Sequence, residues 1–290
     1  MKTSDFDYYL PKELIAQHPL ERRDSSRLAV FHKESGEIEH RHFSDVTEYL
    51  RPGDVLVIND TRVIPARLLG VRITSAVPEE RAAEHEKNCE VLLLKRLSLT
   101  DWECIVRPGK KLRTGAKIYS SPRLSATVTG IKDEGVRVLT FETDGVFEEV
   151  LDEVGNMPLP PYITEKLEDK SRYNTVYAHT DGSAAAPTAG LHFTPELLQK
   201  VKDMGVKIAP VLLHVGLGTF RPVKEEEATA HKMHSEYYEI SAESAAMIND
   251  ARKSGGRVVC VGTTSVRTLE SASAEDGTLS ACSGNTEVGS

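Results

Sequence analysis

The chain has 290 residues, enough for one large hydrophobic core or two smaller ones, and its 39% hydrophobic and 28% charged content is typical of a globular protein. The four cysteines form no C-x-x-C pair, no apolar signal region opens the sequence, and no run of about 18 apolar residues occurs. The composition therefore argues against a disulfide scaffold or a membrane protein. We expect a cytoplasmic protein with reduced thiols.

The first 65 residues predict mixed secondary structure. A short helix is expected between Pro11 and Pro19, and residues 27–33 and 37–43 form two strands of a predicted hairpin. DVLVIND, residues 54–60, then predicts a buried central strand of a sheet.

Residues 66–142 show a different pattern, with successive short apolar runs separated by Gly-rich breaks. Five or more short strands without a helix of any length predict a small closed or half-closed barrel. GVFEEVLDEVG, residues 145–155, has helical spacing and ends at Gly155. We place the inserted β-barrel domain at residues 66–155.

The remaining chain alternates helix and strand. Thr194 and Ser241 are predicted N-caps of helices over 196–204 and 242–253, and apolar strands follow at 206–215 and 257–261. The predicted fold is therefore an α/β domain, residues 1–65 and 156–290, with a mixed sheet covered by helices and interrupted by the barrel.

Three loops with many small residues precede or follow these elements, and we expect them to form a binding site. GSAAAPTAG, residues 182–190, leads to His192, and each of the two late strands ends in a Gly- or Thr-rich loop. Ligands of open α/β sheets bind beyond the carboxyl ends of the strands, and Gly and Ala leave room for a flat group such as a purine. A turn without a ligand remains the alternative for each loop. The candidate substrate-binding residues in these loops are Ala186, Pro187, Thr188, Gly190, Gly216, Gly218, Thr219, Thr263, Thr264, Ser265 and Arg267.

Two further segments carry charged or ligand-type side chains. Arg62 and Arg67, in NDTRVIPARLLG, are either solvated or paired with Asp60, or they bind a carboxylate or phosphate of a substrate in a bidentate manner. HKMHSE, residues 231–236, contains metal-ligand residue types but lacks the HExxH spacing and a nearby cysteine. We expect no metal site there.

A basic loop stands out in a chain of net charge −8. RPGKKLRTGAK, residues 107–117, includes Lys110, Lys111 and Arg113 and no acidic residue. Such a loop is either simply solvated or attracts a phosphate backbone. We name these three side chains as candidates for contact with a nucleic-acid backbone.

Taken together, the motifs resemble the S-adenosylmethionine:tRNA ribosyltransferase-isomerase family of queuosine biosynthesis. The resemblance extends from residue 4 to about residue 283. The segments that carry it are NDTRVIPARLLG (59–70), MPLPPYI (157–163), TVYA with GSAAAPTAGLHF (175–193), LHVGLGTFRPV (213–223), HKMHSE (231–236) and VGTTSVRTLES (261–271).

The resemblance implies both the fold and the reaction. The family acts on tRNA that carries 7-aminomethyl-7-deazaguanine at the wobble position. It moves and isomerises the ribosyl group of S-adenosylmethionine onto that amine, which gives epoxyqueuosine-tRNA, adenine and methionine. S-adenosylmethionine is then a substrate, and no cofactor is required. The expected partners are S-adenosylmethionine and the precursor tRNA. We expect no association with a membrane, and either a monomer or a weak homo-oligomer.

This chemistry needs a group that removes a proton beside the sulfonium and a group that assists the departure of adenine. Histidine suits either role near neutral pH. His214 is the first candidate because it ends a strand beside glycines, His192 is the second because the small-residue loop leads to it, and His234 is the third. A structural role is the alternative for each.

The sequence departs from the family at its C-terminal end. The family continues for tens of residues beyond this point with an additional motif, and residues 274–290 are polar and aperiodic, so we expect them to be disordered and the site to be weakened. A non-catalytic tRNA-binding protein of the same fold is therefore the main alternative. A methyltransferase is disfavoured because no GxGxG loop follows an early strand.

Overall fold

The computed structural model describes residues 1–216, 223, 225–231 and 233–286. The chain forms two compact units, one from Met1–Arg62 with Pro160–Ser290 and the other from Val63–Leu159. The limits expected from the sequence, 65/66 and 155/156, differ from these by a few residues and remain predictions.

The helices and strands follow the chain in this order. The strands are β1 (Arg27–Phe31), β2 (Ile38–His42), β3 (Val55–Asn59), β4 (Thr61–Val63), β5 (Arg67–Arg72), β6 (Cys89–Arg96), β7 (Asp101–Arg107), β8 (Lys117–Ser121), β9 (Leu124–Ile131), β10 (Arg137–Thr143), β11 (Thr180–Ser183), β12 (Lys207–Leu213), β13 (Tyr237–Ile240), β14 (Val258–Cys260) and β15 (Cys282–Asn285). The α-helices are α1 (Phe147–Val154), α2 (Pro195–Asp203), α3 (Ala242–Lys253) and α4 (Gly262–Ala272).

The first unit is built on a mixed five-stranded sheet of order β14-β3-β12-β13-β15. The strands β14, β3 and β12 are parallel, whereas β13 and β15 pair antiparallel. Every residue of β3 is buried, as expected for a central strand covered on both faces. The predicted α/β fold with a mixed sheet is confirmed.

Alternating residues of β3 enter two different cores, because successive side chains of a strand point to opposite faces. Val55 and Val57 pack with Ile248 of α3 on one face. Leu56 and Ile58 pack with α2 on the other. The helices therefore cover both faces of the sheet.

The predicted caps set where two of these helices begin. The Thr194 side chain accepts the N–H of Leu197, and the Ser241 side chain accepts the N–H of Ser244. Each hydroxyl satisfies one of the free N–H groups of its first helical turn. Both predicted caps are confirmed.

The second unit is a closed six-stranded barrel of order β10-β7-β6-β5-β8-β9, with antiparallel pairing throughout. Inward-facing apolar side chains fill it, among them Leu68, Val91, Ile118 and Leu139. The helix α1 adds Phe147, stacked on Trp102 with ring centroids 5.6 Å apart. The prediction of a small barrel, made from short apolar runs with Gly-rich breaks, is confirmed.

The expectation of disorder after residue 273 is wrong for residues 274–286. The strand β15 pairs with β13, and Leu279 is buried in the core beneath α3. The Asn249 side chain donates to the Leu279 carbonyl at 2.8 Å and accepts the N–H of Leu279 at 3.0 Å. Without β15, the backbone N–H and C=O groups along one side of β13 would be unpaired, and a further strand satisfies them. This pairing uses the backbone, so the Gly-, Ser- and Thr-rich composition of the segment does not reveal it. α4 is thus followed by a strand of the same sheet.

The predicted N-terminal helix is reduced to a single 3-10 turn, Lys12–Leu14, while the predicted hairpin forms as β1 and β2. In the described part of the chain, no helix has the length and apolar character needed to span a membrane.

Candidate active site

The carboxyl ends of β3, β12 and β14 lie at one edge of the sheet, because the three strands are parallel. The buried side chain of Asn59, the last residue of β3, joins two of these ends. Its amide donates to the Leu213 carbonyl at 2.9 Å, and its carbonyl accepts the N–H of Leu213 at 3.1 Å and of Thr61 at 3.2 Å. This bridge fixes the chain just before Thr61 and just before His214.

His214 is held on three sides. Its Nδ1 lies 2.8 Å from the hydroxyl of Thr61, and its ring stacks on Tyr237 with centroids 6.0 Å apart and planes at 25°. A side-chain carbon at Gly182 would lie 2.9 Å from Cε1 and 3.0 Å from Nε2, and Gly182 has a φ of +140°, which favours glycine. The imidazole therefore has a single defined position.

Burial lowers the pKa of His214, although Asp181 and Glu239 act in the opposite direction. An imidazole normally titrates near pH 6.5, so a lower pKa leaves His214 neutral at physiological pH.

The small-residue segment 183–190 packs partly against this same strand end. Ala185 lies in a core with Leu213 and Val215. The Ser183 hydroxyl donates to the Ala185 carbonyl at 2.7 Å and accepts the N–H of Val215 at 3.0 Å. Ala186 and Pro187 are also buried, whereas Thr188 is exposed. Close packing is thus one reason for small side chains here, and contact with a flat ligand stays a prediction.

Gly190 lies directly beneath Tyr177. A side-chain carbon at Gly190 would be 2.1 Å from the Tyr177 hydroxyl. That hydroxyl is buried and has no hydrogen-bond partner among the described residues, and the same holds for the Thr175 hydroxyl nearby. Burial raises the pKa of Tyr177. Only glycine leaves room for this contact.

His192 ends the short 3-10 turn Thr188–His192. Its Nδ1 lies 3.2 Å from the Ala189 carbonyl, and its ring contacts Phe43 with centroids 5.1 Å apart. The contacts of His192 therefore lie on the side of the sheet that α2 covers, where Phe43 packs.

Arg267 is positioned by a buried carboxylate. Its Nη1 lies 2.6 Å from Glu236 Oε2, and its Nη2 donates to the His234 carbonyl at 2.6 Å. The other oxygen of Glu236 accepts the N–H of Gly216 at 2.7 Å. The network connects α4 with the chain that follows His214, and Gly218 and Thr219 lie outside the described residues.

The start of α4 carries the three other candidates. Ser265 is fully buried and donates its hydroxyl to the Val261 carbonyl at 3.0 Å, which is an internal helix contact. The Thr264 hydroxyl is buried and has no partner in the part of the chain that the structure describes, whereas Thr263 is exposed. Thr264 thus offers a buried hydroxyl for which a ligand could supply a partner.

The two arginine candidates belong to different units. Arg62 lies 3.7 Å from Asp181, and both side chains are exposed. Arg67 lies in β5 of the barrel, where it pairs with Glu90 at 3.0 Å. Each therefore has an acidic partner, which differs from the expected Asp60.

Lys110, Lys111 and Arg113 are exposed in the loop between β7 and β8. The buried Leu112 anchors the loop, and Arg137 binds its backbone at the Leu112 and Gly109 carbonyls. The anchor leaves the three charges directed outward on a fixed loop.

Two residues of HKMHSE, His231 and Glu236, have partners of their own. His231 lies 2.9 Å from Glu225, and Glu236 binds Arg267. Among the described residues, no group of three or more His, Cys, Asp and Glu side chains is arranged to hold a metal ion.

The sequence motifs did not single out Thr61, Asn59 or Thr286. Thr61 and Asn59 stand in the quoted motif NDTR, and the available signal is the run of three polar residues, 59–61, at the end of an apolar strand. Thr286 joins Glu236 through two hydrogen bonds, 2.8 and 2.9 Å, and had been assigned to a disordered end.

The structure thus defines an α/β protein with an inserted closed barrel and a histidine held at the carboxyl edge of its sheet. The chain belongs to the queuosine biosynthesis protein family, whose model matches residues 3–288, so the resemblance seen in the motifs is confirmed.

The relatives of known name agree with this assignment. An S-adenosylmethionine:tRNA ribosyltransferase-isomerase of Clostridioides difficile is 56% identical over 99% of this chain and 82% of its own length. One of Symbiobacterium thermophilum is 58% identical with the same coverage. The crystal structure of S-adenosylmethionine tRNA ribosyltransferase from Thermotoga maritima is 37% identical, covers 92% of this chain and 72% of its own, and gives a TM-score of 0.41.

Proposed function

We propose that this chain is an S-adenosylmethionine:tRNA ribosyltransferase-isomerase of queuosine biosynthesis. Relatives that are 54–58% identical over 99% of the chain carry that name, which confirms the predicted transferase-isomerase class. The alternative of a non-catalytic tRNA-binding protein is not favoured.

The reaction that we propose consumes both substrates in one site. The ribosyl group of S-adenosylmethionine is transferred to the amine of 7-aminomethyl-7-deazaguanine in tRNA and isomerised, and adenine and methionine are released. S-adenosylmethionine serves as a substrate. No residue of the chain is assigned to a cofactor.

The observation that carries the site assignment is the environment of His214. The imidazole stands at the carboxyl edge of the sheet, its Nδ1 is occupied by Thr61, and burial keeps it neutral. Nε2 has no hydrogen-bond partner among the described residues and is the ring atom free to meet a substrate. We place His214 at the reacting group, and His192 and His234 remain second and third candidates.

Three buried hydroxyls support recognition of an uncharged, flat portion of the substrate. Those of Thr175, Tyr177 and Thr264 have no partner among the described residues, and each can donate or accept a hydrogen bond. A buried polar group without a partner is costly, so a ligand that supplies partners is favoured. We propose that the adenine of S-adenosylmethionine binds near the start of α4, where Thr264 lies.

The experiment is a product assay with tRNA that carries the precursor base. We expect stoichiometric release of adenine and methionine. Formation of S-adenosylhomocysteine would instead indicate methyl transfer, and binding without products would restore the non-catalytic alternative. Unmodified tRNA, which lacks the amine, is the control that should release no adenine.

A further inference from the structure

The hydroxyl of Thr61 has one partner. Thr61 is fully buried, and its Oγ1 lies 2.8 Å from Nδ1 of His214. No other hydrogen bond to this oxygen exists among the described residues. The backbone N–H of Thr61 is held by the Asn59 side chain, which fixes the backbone of Thr61 beside the imidazole.

A single partner determines which atom carries the proton. A hydroxyl has one hydrogen to donate, and Nδ1 of His214 is the only hydrogen-bond partner of this hydroxyl in the described part of the chain. If Nδ1 carried the proton of the neutral ring, the Thr61 hydrogen would be buried without an acceptor, which disfavours that arrangement by about tenfold or more. Donation from Thr61 to Nδ1 satisfies both groups and leaves the ring proton on Nε2.

The other residues around the His214 imidazole oppose a rotation of the ring. Gly182 lies against Cε1 and Nε2 of the ring, and Tyr237 stacks on the ring. Both contacts oppose a rotation that would exchange the two ring nitrogens. The backbone N–H of His214 is also fixed, by the Tyr237 carbonyl at 3.0 Å.

We propose that Thr61 is a positioning residue, which holds neutral His214 as the Nε2–H tautomer and makes it a hydrogen-bond donor to the substrate rather than the base that removes a proton. Its role toward the substrate rests on the proposed function, whereas the tautomer does not.

The consequence for the reaction concerns charge rather than proton transfer. A neutral Nε2–H stabilises negative charge that develops on a departing or opening group without giving up its proton. Removal of the proton beside the sulfonium then belongs to a different group. Neutral imidazole as an electrophilic donor is a known way to use histidine at neutral pH.

The tautomer can be measured without activity. Protein labelled with ¹⁵N at histidine is studied by NMR at about pH 8.5, two units above the ordinary pKa, with His214→Ala used to assign the signal. We expect the Nε2–H pattern in the wild type and in Thr61→Ser, which keeps the hydroxyl. Thr61→Val should lose the preference by about tenfold.

The matched control is Thr268→Val, which removes another fully buried hydroxyl, one that donates to the Thr264 carbonyl at 2.9 Å. It should leave the His214 signal unchanged. An Nδ1–H pattern in the wild type would overturn the proposal, even if Thr61→Val does not fold.

Kinetics test the role toward the substrate. His214→Gln places an amide N–H near the position of Nε2, so we expect it to retain about tenfold more single-turnover rate than His214→Ala. Equal rates in the two variants would contradict a donor role and support a base. A wild type with the Nε2–H tautomer but no adenine release would instead reject the proposed function alone.

Discussion

Glu236 and Arg267 form a largely buried ion pair at the edge of the sheet, with Oε2 and Nη1 2.6 Å apart and side chains only 9% and 21% exposed. The pair also holds the N–H of Gly216 and the carbonyl of His234. It therefore fixes two segments that border His214.

Replacement of one partner should be strongly destabilising. Arg267→Met keeps the length of the side chain but leaves the Glu236 charge buried without its partner, and we expect a loss of about 3 kcal/mol in the free energy of unfolding. Denaturant unfolding measures this. The control is Arg81→Met, which breaks the exposed pair with Glu84 and should cost less than about 1 kcal/mol. Equal losses would show that the Glu236–Arg267 pair is effectively solvated.

A second ion pair, at the amino ends of the parallel strands, should govern the stability of the protein at acid pH. Asp54 precedes β3, is fully buried, and lies 2.6 Å from Arg257, the residue before β14. The hydrogen bonds from Arg257 hold the pKa of Asp54 well below its usual range. Its stabilising effect is therefore present above the unfolded pKa of about 3.9 and is lost as the pH falls toward the lower folded value.

Asp54→Asn should accordingly be less stable than the wild type by about 3 kcal/mol at pH 7, with a difference that shrinks below about pH 4. Denaturant midpoints recorded from pH 7 to pH 2.5 test this. Asp7→Asn, at an exposed position, should show little difference at any pH. A constant difference for Asp54→Asn down to pH 2.5 would mean that packing rather than charge is lost.

The sequence predicts the elements better than the contacts between them. The strands of the barrel and the helices of the sheet have strong local patterns, so their type and approximate limits follow from periodicity and caps. The link between Thr61 and His214 spans 153 positions in the chain and depends on the pairing of β3 with β12. No local pattern encodes that register. β15 was missed for a similar reason, because the edge of β13 selects it.

The catalytic importance of His214 is tested by His214→Ala. The variant removes a group that meets the substrate either as a donor or in proton transfer, and we expect single-turnover adenine release to fall by about 10²-fold or more. His40→Ala, at an exposed position of β2, is the control and should keep full activity. An unchanged rate for His214→Ala, with the control also active, would remove His214 from the reaction and favour His192.

The basic loop is tested through the salt dependence of tRNA binding. Replacement of Lys110, Lys111 and Arg113 by Gln should weaken binding and reduce the slope of log K against log salt by about one unit for each phosphate contact that is lost. Filter binding at several salt concentrations gives the slope. The matched control replaces three exposed lysines of the other unit, Lys200, Lys202 and Lys253. The same slope in both triple variants would identify the loop as a solvated turn.

The C-terminal part of the described chain should contribute directly to stability. Leu279 is 4% exposed and packs with Ile248 and Ile240 in the core beneath α3, although it stands in a polar segment. Leu279→Ala should therefore lower the free energy of unfolding by about 2–5 kcal/mol, since it leaves a cavity in a packed core. Leu99→Ala, at a position that is 80% exposed, should change it by less than about 0.5 kcal/mol.

The packing of Leu279 is also linked to the network around Arg267. Thr286, which directly follows β15, binds Glu236, so loss of the Leu279 packing should loosen this network. We therefore expect the double variant Leu279→Ala/Arg267→Met to lose less free energy of unfolding than the two single variants lose together. A loss equal to their sum would mean that the core beneath α3 and the Arg267 network contribute independently.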